Sequence, residues 1–528
     1  MNNDLLYFNG INASTGEYLT PPLRAEELAQ LARGETIPPT QLLEFQWRKQ
    51  QAKDHLGVKE GVDANDLAQA GWGVIFAHDA DAALRDALRE LLEHRKTQAN
   101  QIKERYREYT YRPGESKNLF LTRNGAGPGA VDPDKVPYYL LIVGDPERIP
   151  YSFQSELDVA YAVGRIHFDT NAEYAQYAQS VVRAERADFS LAKRAAFFGV
   201  ANPDDPNTQS SAERLVKPLA EKMSAQKNDW TFDSFLVEGA TKSKLEGLLK
   251  NETPAFLFTA SHGAGFEIGD ARQFKQQGAL ICQDWDGPVA MKGKPIPQTM
   301  YYAMDDVTGD AHLHGLIAFH FACFGAGTPK YDEYSHLKAN VRERFQIAPS
   351  SFVAKLPKKL LAHPKGGALA VIGHVDRAWG SSFLWNAAVE QLSTFESALT
   401  RVLNGSPIGA AMEYFNARYA ELAVSLSSDL ENLKLGKKVD AQQLANIWTA
   451  NNDARGYVIL GDPAVRLRVN GKTSHPPLER ESLTLHIPSD AKLHVDKLDA
   501  TLEKLENQIS ELAVTLKELR AAIKNSDS

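Results

Sequence analysis

The alternation of apolar and polar positions changes rhythm twice along the chain. Through residues 1 to about 125, apolar side chains recur mostly at helical spacing. "RAEELAQLARGE" and "DAALRDALRELLEHRKTQANQIKERYREY" predict helices, and "WGVIFA" (72–77) predicts a strand between them. "TRNGAGPGAVDPDKVP" is dense in Gly, Pro and Asp and reads as a loop or linker.

Short, continuous apolar runs follow: "YYLLIVG" (138–144), "RAAFFGV" (194–200), "AFLFTAS" (255–261), "LIAFHFA" (316–322) and "GALAVIG" (367–373). Helical stretches are predicted at 171–187, 211–226, 352–363 and 382–403. Apolar strands joined by helices predict an α/β fold, a largely parallel sheet with helices on both faces. Ligands of such sheets bind outside the carboxyl ends of the strands.

The end of the chain carries a third rhythm. Val495, Leu498, Leu502, Leu505, Ile509, Leu512, Leu516, Leu519 and Ile523 alternate steps of three and four, the seam of a coiled-coil-like helix. Self-association through 495–523 is one reading; an amphipathic helix folded onto its own protein is the other. The flanking positions, with Asp499, Glu506 and Arg520 against Thr501, Gln508 and Thr515, encode partner choice weakly. The expected organisation is a mostly helical region over 1–125, a first α/β subdomain over 126–235, a second over 236–470, and a linker, short strand and heptad helix over 471–528.

Composition narrows the class. At 528 residues the chain exceeds a single ordinary core. Its 43% hydrophobic and 24% charged residues are those of a globular protein. A net charge of −8 with no basic stripe argues against nucleic acid as a partner. No apolar run reaches the roughly 20 residues that span a bilayer, so no membrane role is expected. The start lacks a basic segment followed by an apolar one, and there are only two cysteines, Cys282 and Cys323. Both features point to free thiols and a cytoplasmic location.

Candidate chemistry gathers where two strands stop. "LFTASHGAGF" breaks from its apolar run at His262 and Gly263, and "GLIAFHFACFGAG" breaks at Cys323, followed by Phe324 and Gly325. If the two strands are parallel neighbours, thiol and imidazole share one rim of the sheet. A thiolate is the nucleophile, and an imidazole beside it takes the proton and later delivers it to the leaving amine. Glycines after both residues let a substrate backbone approach closely, and the N–H groups of Gly263 and Cys323 are candidates for holding a developing oxyanion. A histidine at a strand end is, on its own, as readily a satisfied loop residue. Cys282 lies inside an apolar run and reads as a small buried residue.

These residues resemble the caspase–gingipain group of cysteine peptidases, in which "HG" ends one strand and "AC-x-G" the next. Ala322-Cys323-Phe324-Gly325 fits that frame, with His262 lying 61 residues upstream where the caspase signature has roughly 50. "YYLLIVGDPERIPYSF" with "LDVAYAVGRIHF", then "PKGGALAVIGHVDRAWG" and "GYVILGDPAVRLRV", resemble the gingipain-like branch over about 135–470. The resemblance implies a caspase/gingipain-like fold and a cysteine endopeptidase acting on a protein or peptide substrate, regulated as an effector and switched on by an activating partner. Phe321 stands where a caspase carries Gln, which argues against cleavage after aspartate. Glu156 and Asp158, ahead of the Gly164-Arg165 pair, and Asp376 with Trp379 are implied candidates for substrate contact; each carboxylate has the alternative of a solvated loop residue.

No metal or cofactor is expected. "DAHLHGLIAFH" lacks His-Glu-x-x-His, and His312, His314 and His320 read as structural, His320 facing away from Cys323 by strand alternation. The Gly-Asp-Pro turns at 144–146 and 461–463 are strand ends without a phosphate loop, and no Gly-x-Ser-x-Gly elbow occurs. Two other functions remain open: a non-catalytic caspase-like scaffold or assembly module, and a small-molecule hydrolase using the same pair.

Overall fold

The computed structural model describes residues 57–332 and 345–470, apart from 187–188 and 386–388, together with 5–6, 11–17 and 23–24. The heptad segment 495–523 lies outside the described residues, as does the helix expected over 24–35 apart from Arg24.

Ten strands form one sheet: β1 (Trp72–Ala77), β2 (Tyr106–Tyr111), β3 (Tyr139–Val143), β4 (Ala162–Ile166), β5 (Arg194–Gly199), β6 (Thr231–Leu236), β7 (Phe256–Ala260), β8 (Ile317–Phe321), β9 (Ala370–His374) and β10 (Tyr457–Gly461). Their spatial order is β2-β1-β3-β4-β10-β9-β8-β7-β5-β6. Every pairing is parallel except β9 with β10, so two parallel halves run in opposite directions and meet at that junction. The central strands are buried along their whole length, as near-continuous apolar runs in a covered sheet should be.

Helices cover both faces. On one, α1 (Ser393–Leu403) and α2 (Glu413–Lys434) close over an aromatic column, in which Phe258 of β7 and Phe319 of β8 stack at 5.1 Å and Phe395, Phe415 and Tyr457 complete the contact. α3 (Ala441–Arg455) packs along α2 and delivers the chain into β10. Register across the middle is fixed by pairs such as Phe258 with Phe319 and Phe319 with Ile372.

The helical reading of the first 125 residues needs correction. The helix expected to run on to 109 stops at Ala99, where the Asn100 side chain accepts from the N–H groups of Arg105 and Tyr106. Tyr106–Tyr111 is then an edge strand beside β1, burying Tyr106, Tyr109 and Tyr111 while the residues between are more exposed. β1 and β2 therefore share a sheet with strands downstream of the 126 boundary.

The two Gly-Asp-Pro turns differ in depth. Asp145 caps its own turn, accepting from the N–H groups of Glu147 and Arg148. Asp462 is fully buried, accepts from the Trp72 indole and the Arg95 guanidinium, and ties the end of β10 to the opposite end of the chain. Arg95 also grips Glu185 through two bonds, so its buried charge is compensated on both sides.

Candidate active site

The strands that carry the candidate pair are neighbours. β7 and β8 are parallel, with Ala260 opposite Phe321, so His262 and Cys323 each stand two residues past the end of the ladder. Gly263 lies directly on the nucleophile's main chain: a Cβ built there would sit 1.8 Å from the Cys323 carbonyl oxygen. Any side chain at 263 would push the two turns apart, so glycine is required here by close approach. The hydrogen bonds of the first turn run from Ile281 N to His262 O and from Ala264 N to Ala279 O, on either side of the Gly263 N–H. Those of the second start at Phe324 and Gly325, just beyond the Cys323 N–H.

His262 is buried, and its Nε2 donates to Oδ2 of Asp205 at 2.7 Å. A carboxylate accepts only, so this bond assigns the proton to Nε2 and the lone pair of the neutral ring to Nδ1. Asp205 is itself positioned. It caps the short helix Pro206–Ser211, accepts from Thr208 Oγ1 at 2.6 Å and is completely buried. The Trp285 ring lies edge-on to the imidazole, with centroids 5.9 Å apart.

Asp205 is the residue that sequence reading passes over. Its signal was an Asp-Pro pair in "ANPDDPNT" just past β5, the strand adjacent to β7, where an N-cap with proline at the next position opens a helix.

Cys323 is fully buried. Its thiol donates to the Ala378 carbonyl with sulfur and oxygen 3.7 Å apart, and burial pushes its pKa up to about 12. Cys282, also buried, donates to the Leu280 carbonyl at 3.4 Å, and burial raises its pKa as well. Thiolate character is therefore suppressed at both sulfurs in this arrangement. Both cysteines lie near the His262 turn, Cys282 next to Ile281, whose N–H bonds the His262 carbonyl, and Cys323 at the end of the adjoining strand, where its carbonyl meets Gly263.

A cleft of about 620 Å³ opens past the end of β9, the strand beside β8; neither His262 nor Cys323 lines it, and its walls include Tyr151, Glu156, Tyr331, Asp376, Arg377 and Arg455. Two of the four candidate substrate contacts, Glu156 and Asp376, line it. Asp376 stands level with Cys323, two residues beyond β9, and its carbonyl accepts from the Phe324 N–H at 2.7 Å. The other two lie elsewhere. Asp158 is buried at the end of the helix Tyr151–Asp158, accepts from the Val163 N–H at 3.1 Å, and has its pKa raised by burial. Trp379 is buried against Leu426, Leu444 and Trp448, between α2 and α3.

Two of the three histidines around β8 have local partners. His320 shares a 2.8 Å hydrogen bond with Thr259 Oγ1, and His314 Nε2 donates to the Ser180 carbonyl at 2.9 Å. His312 is half-buried. Arg165 of the Gly-Arg pair is buried and donates to the Gly144 and Ile149 carbonyls and the Gln154 side chain. Among the described residues no group of three or more His, Cys, Asp or Glu side chains is placed to hold a metal ion, and no helix is long and apolar enough to cross a membrane.

The fold and this site define an α/β chain whose mostly parallel sheet presents a cysteine and a carboxylate-held histidine on neighbouring strand ends. Solved structures that it is similar to include proteases. One, titled simply a protease, is 13% identical over 78% of this chain and 82% of its own, with a TM-score of 0.45. The Arg-specific cysteine proteinase gingipain R is 11% identical over 79% of this chain and 81% of its own, with a TM-score of 0.41. The complex of the pro- and mature domains of RgpB from Porphyromonas gingivalis matches at 11% identity over 76% and 80%, with a TM-score of 0.39. No protein-family model and no curated protein matches the chain.

Proposed function

We propose that the chain is a cysteine endopeptidase, with Cys323 as nucleophile and His262 as general base and then acid. The observation that carries this reading is the level placement of His262 and Cys323 on adjoining parallel strands, with Gly263 pressed on the Cys323 carbonyl. The thiol proton passes to the imidazole as sulfur attacks the scissile carbonyl. The N–H groups of Gly263 and Cys323 hold the oxyanion, and the imidazolium returns its proton to the departing amine. Water then cleaves the thioester with the same histidine as base. Asp205 acts through His262, fixing the tautomer and stabilising the imidazolium. Peptide enters along the cleft, whose walls carry the acidic residues Glu147, Glu156 and Asp376. We further propose a cytosolic effector restrained until a partner engages it, with residues 495–523 joining copies of the chain.

Profiling against a peptide library tests the core of this reading. Cys323→Ala should abolish cleavage with the fold intact. Equal cleavage by the Cys323→Ala chain would overturn it. The complete burial of Cys323 favours a second reading, a scaffold without catalysis. A thiol-directed probe separates the two: labelling at Cys323 that falls in His262→Ala belongs to the enzyme, and labelling indifferent to His262 belongs to the scaffold.

A further inference from the structure

The segment following β9 runs across the candidate nucleophile. Asp376, its first residue to bond the nucleophile turn, has a φ of 76°, a left-handed conformation that a non-glycine residue adopts only when its surroundings hold it there. Next comes Arg377, whose guanidinium makes two hydrogen bonds to the Asp332 carboxylate, at 2.8 and 3.1 Å. Ala378 receives the Cys323 thiol. Past this point the segment is fastened to α3 and α2. The Trp379 N–H donates to Asp453 Oδ1 at 2.9 Å and the Ser382 hydroxyl donates to Asp453 Oδ2. Arg418 donates to the Ser381 carbonyl at 2.6 Å. The Trp379 ring is sunk between the two helices.

Asp453 is the hub of these fastenings. Completely buried, it turns both carboxylate oxygens on the segment, while the Arg418 guanidinium stands 3.8 Å away. Neighbours of Asp453 on α3, Asn452 and Arg455, line the cleft, as do Asp376 and Arg377 at the start of the segment. A ligand in the cleft therefore touches both the cover and the helix that holds it.

We propose that residues 376–382 form an autoinhibitory strap, closed over Cys323 and caught by the Asp453 carboxylate. It rests on the reading of Cys323 as the nucleophile. Closed, the strap fills the position from which a substrate carbonyl would meet the sulfur. Substrate turnover then requires the strap to lift, and the observed rate scales with the fraction of chains in which it has done so.

The experiment is alkylation of the full chain by iodoacetamide, with each cysteine's rate followed by peptide mass analysis. Ser382→Ala removes one arm of the catch without changing its charge. Asp453→Asn keeps the shape and removes the charge, and Arg377→Gln loosens the other end of the strap. Losing a hydrogen bond to a buried charged group should speed Cys323 labelling about tenfold or more. Cys282, equally buried but away from the strap, is the internal reference and should not change. Parallel rises at both cysteines would mean general loosening and overturn the strap. So would unchanged labelling in all three variants, or a wild-type Cys323 that already reacts at the rate of the denatured chain. The readout requires no peptide cleavage. A strap that opens onto a reactive Cys323 while no peptide is ever cut would sink the peptidase reading and leave the strap standing. Full cleavage by wild type, unmoved by the three substitutions, would do the reverse.

Discussion

Two buried histidines flank the strand that carries Cys323, one two residues past β7 and the other closing β9. His262 reaches a side-chain carboxylate, that of Asp205. His374 donates from Nε2 to the Asp453 main-chain carbonyl at 2.8 Å, with the Asp453 carboxylate Oδ1 a longer 3.5 Å from the same nitrogen. Its ring meets Tyr457 edge-on at 5.0 Å, and a Cβ added at Gly456 would sit 2.1 Å from it. In the first arrangement a buried carboxylate is itself the hydrogen-bond acceptor and fixes the ring's orientation. The second fills space and anchors α3. Residue type and position along the strand do not separate these roles; the atom at the far end of the hydrogen bond does.

Paired substitutions should drive that contrast to its extreme. His262→Ala removes the general base, and cleavage should fall by about 10²–10⁴-fold while most of the chain stays folded. His374→Ala should do the opposite. It opens a hole beneath β9 and should cost about 2–4 kcal/mol in a urea melt, with a loss of cleavage per folded molecule well short of that in His262→Ala, although His374 also lines the cleft. Equal losses of activity from the two would erase the distinction drawn between the strand ends.

Asp205→Asn sharpens the comparison from the carboxylate side. Asparagine still caps a helix well, so the fold around Pro206–Ser211 should persist. The charge facing the imidazolium is gone, and the amide's N–H₂ competes for the place of its acceptor. Since Asp205 does not line the cleft, kcat should drop about tenfold to a hundredfold with KM nearly unchanged. A rise in KM alone would assign Asp205 to substrate binding.

Much of this arrangement was legible in the chain. β3, β5, β7, β8 and β9 were continuous apolar runs ending in polar or glycine turns, and His262 and Cys323 stood out because each broke such a run. The edge strands were not legible. "YREYTY" and "TFDSFL" carry the charges and half-exposed faces of strands with one neighbour, and periodicity does not separate the first from the helix before it. Nor does local pattern announce that β10 enters antiparallel to β9. The closure over Cys323 was hidden for a related reason. Ala378 lies 55 residues from the thiol, and Asp453 a further 74 from Trp379, so the contacts exist only after the sheet has formed.

The smallest effect belongs to a third histidine, on the middle strand itself. His320 is fully buried in β8, bonded to Thr259, and burial lowers its pKa from 6.5 to about 4; His167 is lowered to about 4 chiefly by the same cause. An unfolded chain takes up these protons near pH 6.5, whereas the folded chain resists until about pH 4. Stability is therefore full above 6.5, falls as the solution is acidified through that window, and levels off below it for these two groups. The slope is at most about 1.4 kcal/mol per pH unit for each. His320→Gln keeps a hydrogen-bonding partner for Thr259 but cannot titrate, so urea melts between pH 6.5 and 4 should show a shallower acid slope, by up to one proton's worth. An unchanged slope would mean that His320 protonates as readily folded as unfolded.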